Sequence, residues 1–370
     1  MKSEEELIST FKASLNWNKK FLDSMSKHWS LYYKDSNKFL SKENLENFRK
    51  EQILSKGMDD AKNLENEYKL QELASGFSHS FVKEAFPDQN IGNANSSIKY
   101  SGKYFDYGIV HHLKWYEKIR RYIESKKIFL EIGAGFGSLA RIILRNTPEI
   151  KYFIIDLPHA NLLSTYYLQK NLPEKKIFDF SDFQTKSLME NIDKFDIFIL
   201  PPGTIENNDI KFDFIINSRS FSEMNRININ KYFNLINNKT NNKGYFLNVN
   251  RIVKDTVGEK IRIDEFPYDK NWKTIIFEEA PLQSNLLFIL TQRIEDNKGD
   301  IHTKLNRIPN ERYELKIYRH NLFTKFLKKY SYKFLNKILL LFFGKKLLYK
   351  IGFFLKKYRV GIILMNMSKK

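Results

Sequence analysis

Glu131, Gly133, Gly135 and Gly137 stand in the run "IFLEIGAGFGSLA" (residues 128–140), and Asp156 follows the last glycine by nineteen residues. An apolar run ending in an acid, then alternate glycines, then a helical pattern describes a strand that turns sharply into a helix. Glycine is needed there to make the turn and to let a ligand reach bare backbone. An acid at the end of the next strand, where Asp156 falls beside Leu157, can accept hydrogen bonds from both hydroxyls of a ribose. A dinucleotide fingerprint, G-x-G-x-x-G, would need its third glycine at Ser138. Glu131 has no place in pyrophosphate recognition, but a carboxylate at a strand end suits a cationic amino-acid moiety in a partly dry cleft. The ligand that carries a ribose, an ammonium and a sulfonium is S-adenosylmethionine, which this pattern favours over a nicotinamide dinucleotide. The bland alternative is a glycine turn that packs with no ligand.

Further along stand "NSRSFSEM" (217–224), "YFLNVNR" (245–251) and "FPYDKNW" (266–272). Enzymes that methylate exocyclic base amines carry Asp/Asn-Pro-Pro-aromatic after the fourth strand, and here that place reads Asn217-Ser218-Arg219-Ser220. The "LPPG" at 200–203 begins with leucine and ends in glycine, so it lacks both the acceptor and the stacking ring. Leu200 and Pro201 are expected as apolar walls near an adenine, or as a simple turn, and Asn217 and Ser218 as cofactor neighbours. Together with the glycine turn and "YFIIDLP" (152–158), these motifs resemble the bacterial sugar O-methyltransferase family from roughly Ile91 to Arg293. The resemblance implies a Rossmann-like methyltransferase and a surface-glycan hydroxyl as acceptor, without naming the sugar.

Methyl transfer to a hydroxyl needs donor and acceptor held in line and a base within reach of the leaving proton. Glu223 is the first candidate base, and a carboxylate stabilising a helix start is the alternative for it. His111 and His112 are the second candidates, carried over the cleft by their helix, although each could be an ordinary packed histidine. His159 is expected at a helix start. Asn248 and Asn250 share a strand face, so with Arg251 they could hydrogen-bond sugar hydroxyls or be buried in packing. Asp213 begins a strand and no compact acidic cluster follows, so no metal is expected.

The elements that must hold these residues fall into three regions. Residues 1–126 read as mostly helical, with a capping box at Ser3–Glu6, helical spacing at Leu64, Tyr68, Leu70 and Leu73, and loops over "AFPDQNIGNANSSIKYSGKYFDYG" (85–108). This region is expected to cover the cleft and select the acceptor. Residues 127–295 alternate short apolar runs with helices, the pattern of a parallel α/β sheet covered on both faces. Strands are expected at 127–133, 152–156, 196–200, 212–217 and 244–250, with a final antiparallel hairpin over 273–279 and 285–293. On the first helix Leu139, Ile142 and Ile143 should face the core, with Arg141 and Arg145 outward.

Residues 296–370 form a basic tail. Between Leu315 and Lys370 lie 15 of the 62 basic residues and none of the 43 acidic ones. Lys325, Lys329, Lys333 and Lys337 mark one helical stripe, bordered by Phe323, Phe326, Leu327, Tyr330, Phe334, Leu335 and Ile338. Such a helix suits the interface of an anionic membrane, where each basic residue contributes about 1 kcal/mol. Packing on the domain is the competing role. Nucleic acid is disfavoured, because that partner asks for exposed charge with modest apolar content. With no cysteine and no apolar core behind the N-terminal lysine, the chain is expected in the cytoplasm, peripheral on the inner face of the membrane. A glycan built on a lipid carrier would suit such a tail as acceptor. An RNA methyltransferase or a non-catalytic membrane scaffold are the alternative functions. If the tail binds the membrane surface, the protein will bind anionic vesicles in a salt-sensitive way, and deleting 315–370 will abolish it; unchanged binding after deletion would contradict this.

Overall fold

The central strands are apolar end to end because both of their faces are covered. The structure, a computed structural model, describes residues 1–17, 26, 29–30, 40–50, 54–55, 85–100, 102–255 and 258–308. Strands β1 (Ile98–Tyr100) and β2 (Lys103–Phe105) form a small antiparallel hairpin. The loop expected there is thus corrected: Gly102, at φ +80°, supplies the tight turn that lets the short alternating runs pair. Helix α1 (Glu4–Trp17) begins the chain and helix α2 (Tyr107–Ile123) follows the hairpin.

Eight strands then build one sheet: β3 (Ile128–Ile132), β4 (Lys151–Ile155), β5 (Ile177–Phe178), β6 (Ile197–Leu200), β7 (Phe212–Ser218), β8 (Thr240–Arg251), β11 (Trp272–Ala280) and β12 (Gln283–Arg293). Between β8 and β11, β9 (Val253–Lys254) and β10 (Ile261–Arg262) pair separately. The order across the sheet is β11-β12-β8-β7-β3-β4-β6-β5, with β12 antiparallel to both of its neighbours. From β3 the chain steps one way to β4 and β6, and later the other way to β7 and β8. This is a Rossmann-like, mostly parallel sheet with an antiparallel final hairpin, and the order reverses at β3. In such sheets ligands lie outside the carboxyl ends of the strands at the reversal.

Aromatic rings in register tie the middle strands together. Phe129 lies beside Tyr152 and Phe214, with ring centroids 5.9 and 5.3 Å apart, and Phe153 stacks on Phe198 at 4.3 Å. Each such pair adds about 0.5–1.5 kcal/mol beyond the area it buries. Helices α3 (Ser138–Asn146) and α4 (Pro158–Asn171) cross between strands. Arg141 on α3 is buried, not outward as its polarity suggests. Its guanidinium donates to the Ala85 carbonyl at 2.5 Å, so a segment from the N-terminal region covers that face of the helix.

The capping box of α1 is present, with Ser3 N donating to Glu6 at 2.7 Å and Glu6 N to Ser3 Oγ at 3.2 Å. Leu7 and Phe11 of α1 join a core cluster that includes Leu162 and Tyr166 of α4. Lys2 and Gln169 exchange hydrogen bonds at the same contact. A second clamp is the ion pair of Arg49 and Asp106, both almost wholly buried. Asp106 also caps α2 through Ile109 N, and Arg49 lies over the ring of Phe136 beside the glycine turn, 4.8 Å from its centroid. A buried pair of this kind stands or falls together, because removing one partner strands the other charge at a cost of about 3–5 kcal/mol.

The compact unit runs on to Ile308, past the expected boundary at 296. Ile301 and Leu305 are buried, and Asp300 accepts a hydrogen bond from Thr274 N at 2.6 Å. Leu64, Tyr68, Leu70, Leu73 and the tail from 315 lie outside the described residues. Among the described residues, no helix is long and apolar enough to cross a membrane.

Candidate active-site cleft

An open cleft sits at the carboxyl ends of the strands, where the sheet order reverses. Gly133 and Gly135 reach it from the end of β3, Asp156 and Leu157 from β4, Pro202 from β6, and Ser218, Arg219 and Ser220 from β7. His112 of α2, Glu223 and Met224 complete the wall, with Ser26 and Trp29 from the N-terminal region and Asn228 and Tyr232 from helix α5 (Arg226–Lys239).

The three glycines of the turn all have positive φ, at +76°, +61° and +85° for Gly133, Gly135 and Gly137. A Cβ on Gly133 would stand 2.2 Å from Ser220 Oγ, so bare backbone is required both for the bend and for the neighbouring loop. Gly137 is the N-cap of α3, set against Leu168 and away from the cleft. Asp156 uses one carboxylate oxygen to accept from Gly135 N at 2.8 Å and the other to accept from Leu157 N at 2.7 Å. A carboxylate has about four acceptor positions, so each oxygen retains capacity on the cleft side. Burial pushes the Asp156 carboxyl up to about 7, while those two backbone N–H groups pull it down.

Glu131 does not line the cleft. It is buried behind the turn, where it accepts from the Tyr152 hydroxyl at 2.8 Å. Burial raises it to about 7, with the Tyr152 bond opposing and the Asp156 charge adding. The alternation of side chains along β3 explains the placement, since the last residues of a covered strand point into packed layers. Leu200 and Pro201 are also buried, and the next residue, Pro202, forms the wall in their place.

The two adjacent histidines separate. Neighbours on a helix point about 100° apart, so His112 faces the cleft beside Trp115 while His111 turns to Gln283 at 2.9 Å. His159 does begin α4, buried against Trp29, and burial presses it down to about 4. Glu223 lies on the cleft wall with its Oε1 accepting from Lys254, and its carbonyl accepts from Ser26 Oγ at 2.6 Å.

Asn217, Asn248 and Asn250 are fully buried, and their hydrogen bonds go to one another and to the surrounding protein. Asn217 Nδ2 donates to the Ile132 carbonyl (2.8 Å) and to Ser220 Oγ (2.6 Å), and its Oδ1 accepts from Phe221 N and Asn250 Nδ2. Asn250 also donates to Asn248 Oδ1 and accepts from Ser222 N, and Asn248 donates to the Tyr268 hydroxyl. The sugar-contacting role expected for Asn248 and Asn250 is therefore not available to their amides. They shape the loop that carries Arg219 and Glu223. Arg251 ends β8 partly exposed, outside the cleft lining.

Arg219, Asn228 and Tyr232 were not singled out by the sequence. Asn228 and Tyr232 stand four apart on α5, a spacing that shares a face and could have flagged them. Arg219 gave no such sign. It holds φ +68°, and its N–H donates to the Val249 carbonyl at 2.6 Å. For a residue with a Cβ, that conformation costs about 1–3 kcal/mol and clusters at functional sites. Among the described residues, no group of three metal-ligating side chains is placed to hold a metal. Asp213 instead accepts from Lys127 N and Ile128 N at the opposite end of the sheet.

No protein-family model matches the chain, and no curated protein does. Solved structures similar to it include the pyocyanin biosynthetic protein PhzM, at 12% identity over 50% of this chain and 56% of that one, with TM-score 0.33. The mitomycin 7-O-methyltransferase MmcR aligns at 12% identity over 50% of this chain and 55% of that one, with TM-score 0.36. The N-methyltransferase NodS from Bradyrhizobium japonicum WM9, in complex with S-adenosyl-L-homocysteine, aligns at 12% over 50% and 86%, with TM-score 0.34. The chain thus spans little more than half the length of PhzM and MmcR. Likenesses at these scores decide nothing about cofactor or substrate, and the resemblance to sugar O-methyltransferases rests on the motif residues alone.

The amide network makes a sharp prediction. Asn217→Leu fills similar volume but orphans Phe221 N, at about 1–3 kcal/mol for an unsatisfied buried group, while Asn250 Nδ2 keeps only Asn248 and the Ile132 carbonyl keeps only the Ser220 hydroxyl. Urea unfolding should show a lowered midpoint that corresponds to a loss of about 1–3 kcal/mol of stability. A midpoint within error of the native one would show that the network does not hold the loop.

Proposed function

We propose that the chain is an S-adenosylmethionine-dependent methyltransferase acting on a sugar hydroxyl of a bacterial surface glycan or its precursor. The observation that carries the cofactor assignment is the pairing of bare backbone at Gly133–Gly135 with the Asp156 carboxylate across the reversal of the sheet. The residues present fit the group. Gly133 and Gly135 present bare backbone to the cleft, and Asp156 beside them retains acceptor capacity for two ribose hydroxyls. Leu157, Pro202 and Tyr232 offer apolar surface for an adenine ring.

Bound there, the cofactor supplies an electrophilic methyl group on a sulfonium. The protein's own part is to hold the acceptor oxygen in line and to take its proton. Among the described residues, Glu223 and His112 on the cleft wall are the candidates for it, and His111 is turned away toward Gln283. The sugar acceptor is what the resemblance of "NSRSFSEM", "YFLNVNR" and "FPYDKNW" to the sugar O-methyltransferase family implies, and the absence of prolines from Asn217-Ser218-Arg219-Ser220 supports a hydroxyl over a base amine. The N-terminal region supports acceptor selection, because Ser26 and Trp29 close one side of the cleft.

Calorimetric titration with S-adenosylhomocysteine tests the cofactor reading. The native chain should bind in the micromolar range, and Asp156→Ala should bind at least about hundredfold more weakly, since two hydrogen bonds to a charged acceptor are worth about 1.5–3 kcal/mol each. The binding should also depend on pH in one direction. The folded-state Asp156 carboxyl titrates at about 7 against an ordinary 3.8, so the folded protein holds the proton more tightly, and Asp156's contribution to stability falls as pH rises between those values. The ionised form is the better acceptor for two hydroxyls. Affinity should therefore strengthen as pH rises toward about 7 and then level off. Failure of the folded native chain to bind, or equal binding by Asp156→Ala, would overturn the assignment.

A further inference from the structure

Two residues of the N-terminal region line the cleft, and they touch its opposite sides. Ser26 is buried, and its Oγ donates to the Glu223 carbonyl at 2.6 Å, past the end of β7. Trp29 lies against His159, at the start of α4 just past β4, with ring centroids 5.7 Å apart. Ser30 N donates to the Ser26 carbonyl at 3.0 Å and Trp29 N to Ser26 Oγ at 3.5 Å, which holds the two contacts at a set separation. In the sheet β3 lies between β7 and β4. From one to the other is two strand spacings, about 10 Å, a distance that residues three apart cover when one of them is a tryptophan. Ser26 and Trp29 therefore straddle the end of β3, where the glycine turn lies.

The indole sits toward the Asp156 side of that span. His159 is three residues past Asp156, with Leu157 in the cleft lining between them. Trp29 is half-buried, so part of its surface meets the cavity. A tryptophan that served only to pack the N-terminal region on α4 would be enclosed by protein, as Trp115 and Trp272 are. Burial holds the His159 ring down to about 4, so at neutral pH the indole is backed by an uncharged ring. It presents to the cleft an apolar, π-faced surface of the kind on which nucleobases stack.

We propose that Trp29 is a cofactor-binding residue whose indole covers the nucleoside against the turn after β3. This rests on the S-adenosylmethionine reading of the cleft and adds to it a contact from outside the sheet. The nucleoside is then enclosed between Asp156 and the N-terminal region, while Ser26, at the other end of the span, borders the Glu223 side.

Titrations of the full-length protein with S-adenosylhomocysteine and with adenosine, read by calorimetry and by tryptophan emission, test this. Trp29→Ala should bind S-adenosylhomocysteine about tenfold or more weakly and lose adenosine affinity by a similar factor, while Trp29→Phe should keep most of both. Of the four tryptophans, Trp115 and Trp272 are wholly buried and Trp17 is half-exposed. Saturation with S-adenosylhomocysteine should change the native emission and shield a tryptophan from acrylamide, and both effects should vanish in Trp29→Phe although that variant still binds. Thermal unfolding checks that the variants are folded, and the emission of Trp29→Phe carries the test if Trp29→Ala is not. Native affinity in folded Trp29→Ala, or shielding that persists undiminished in Trp29→Phe, would overturn the contact and leave the cofactor reading intact. A loss for S-adenosylhomocysteine with none for adenosine would overturn the nucleoside as what the indole covers. No binding of S-adenosylhomocysteine by the folded native chain would remove the cofactor reading, and the contact with it.

Discussion

The cleft depends on a buried amide. Asn217 satisfies both donors and its acceptor oxygen inside the protein, and those bonds join the ends of β3, β7 and β8. Ser220, held by that amide and donating to the Ile132 carbonyl at 3.2 Å, occupies the place a Cβ of Gly133 would need. The glycine turn and the loop after β7 are therefore one assembly. Neutral amides suit this job: they pair completely without the desolvation penalty that a buried charge would carry. With the loop fixed, Arg219 and Glu223 are presented to the cleft from backbone that cannot relax away.

The rest of the fold serves to keep this assembly at the mouth of the sheet. The reversal of strand order at β3 opens the crevice, and packing of aromatic rings across β7, β3, β4 and β6 keeps the strands in register beneath it. The N-terminal region closes it from above through separate anchors. One is the docking of α1 on α4, and another is the Arg49–Asp106 pair, which couples the cap of α2 to the glycine turn through Phe136. The helix that carries His112 to the cleft is thus set by an ion pair made outside it.

Much of this was legible in the sequence. The glycine turn with Asp156 located the cleft, because that chemistry needs short-range spacing that the chain displays openly. Strand positions followed from apolar runs, which are unambiguous when both faces are covered. Other features were hidden because they depend on contacts between distant segments. Arg141 reads as a surface residue until the Ala85 carbonyl is seen to take its guanidinium. Asn248 and Asn250 were placed correctly on one face, but alternation alone cannot say whether that face meets a ligand or Asn217. Glu131 is similar, since its partner Tyr152 comes from the neighbouring strand. Arg219 could not be foreseen, because nothing in its neighbours predicts a left-handed backbone. Ser26 and Trp29 reach the cleft from a region with no motif at all.

In the proposed methyltransferase, the bare turn after β3 and the Asp156 carboxylate hold a nucleoside between them. A crystal structure of the full-length protein grown with S-adenosylhomocysteine tests it most directly. It should show both ribose hydroxyls within hydrogen-bond reach of Asp156 and the amino-acid end lying over Gly133–Gly135. A ligand bound elsewhere, or a cleft in which Asp156 touches only Gly135 and Leu157 while the nucleoside lies beyond it, would contradict the claim.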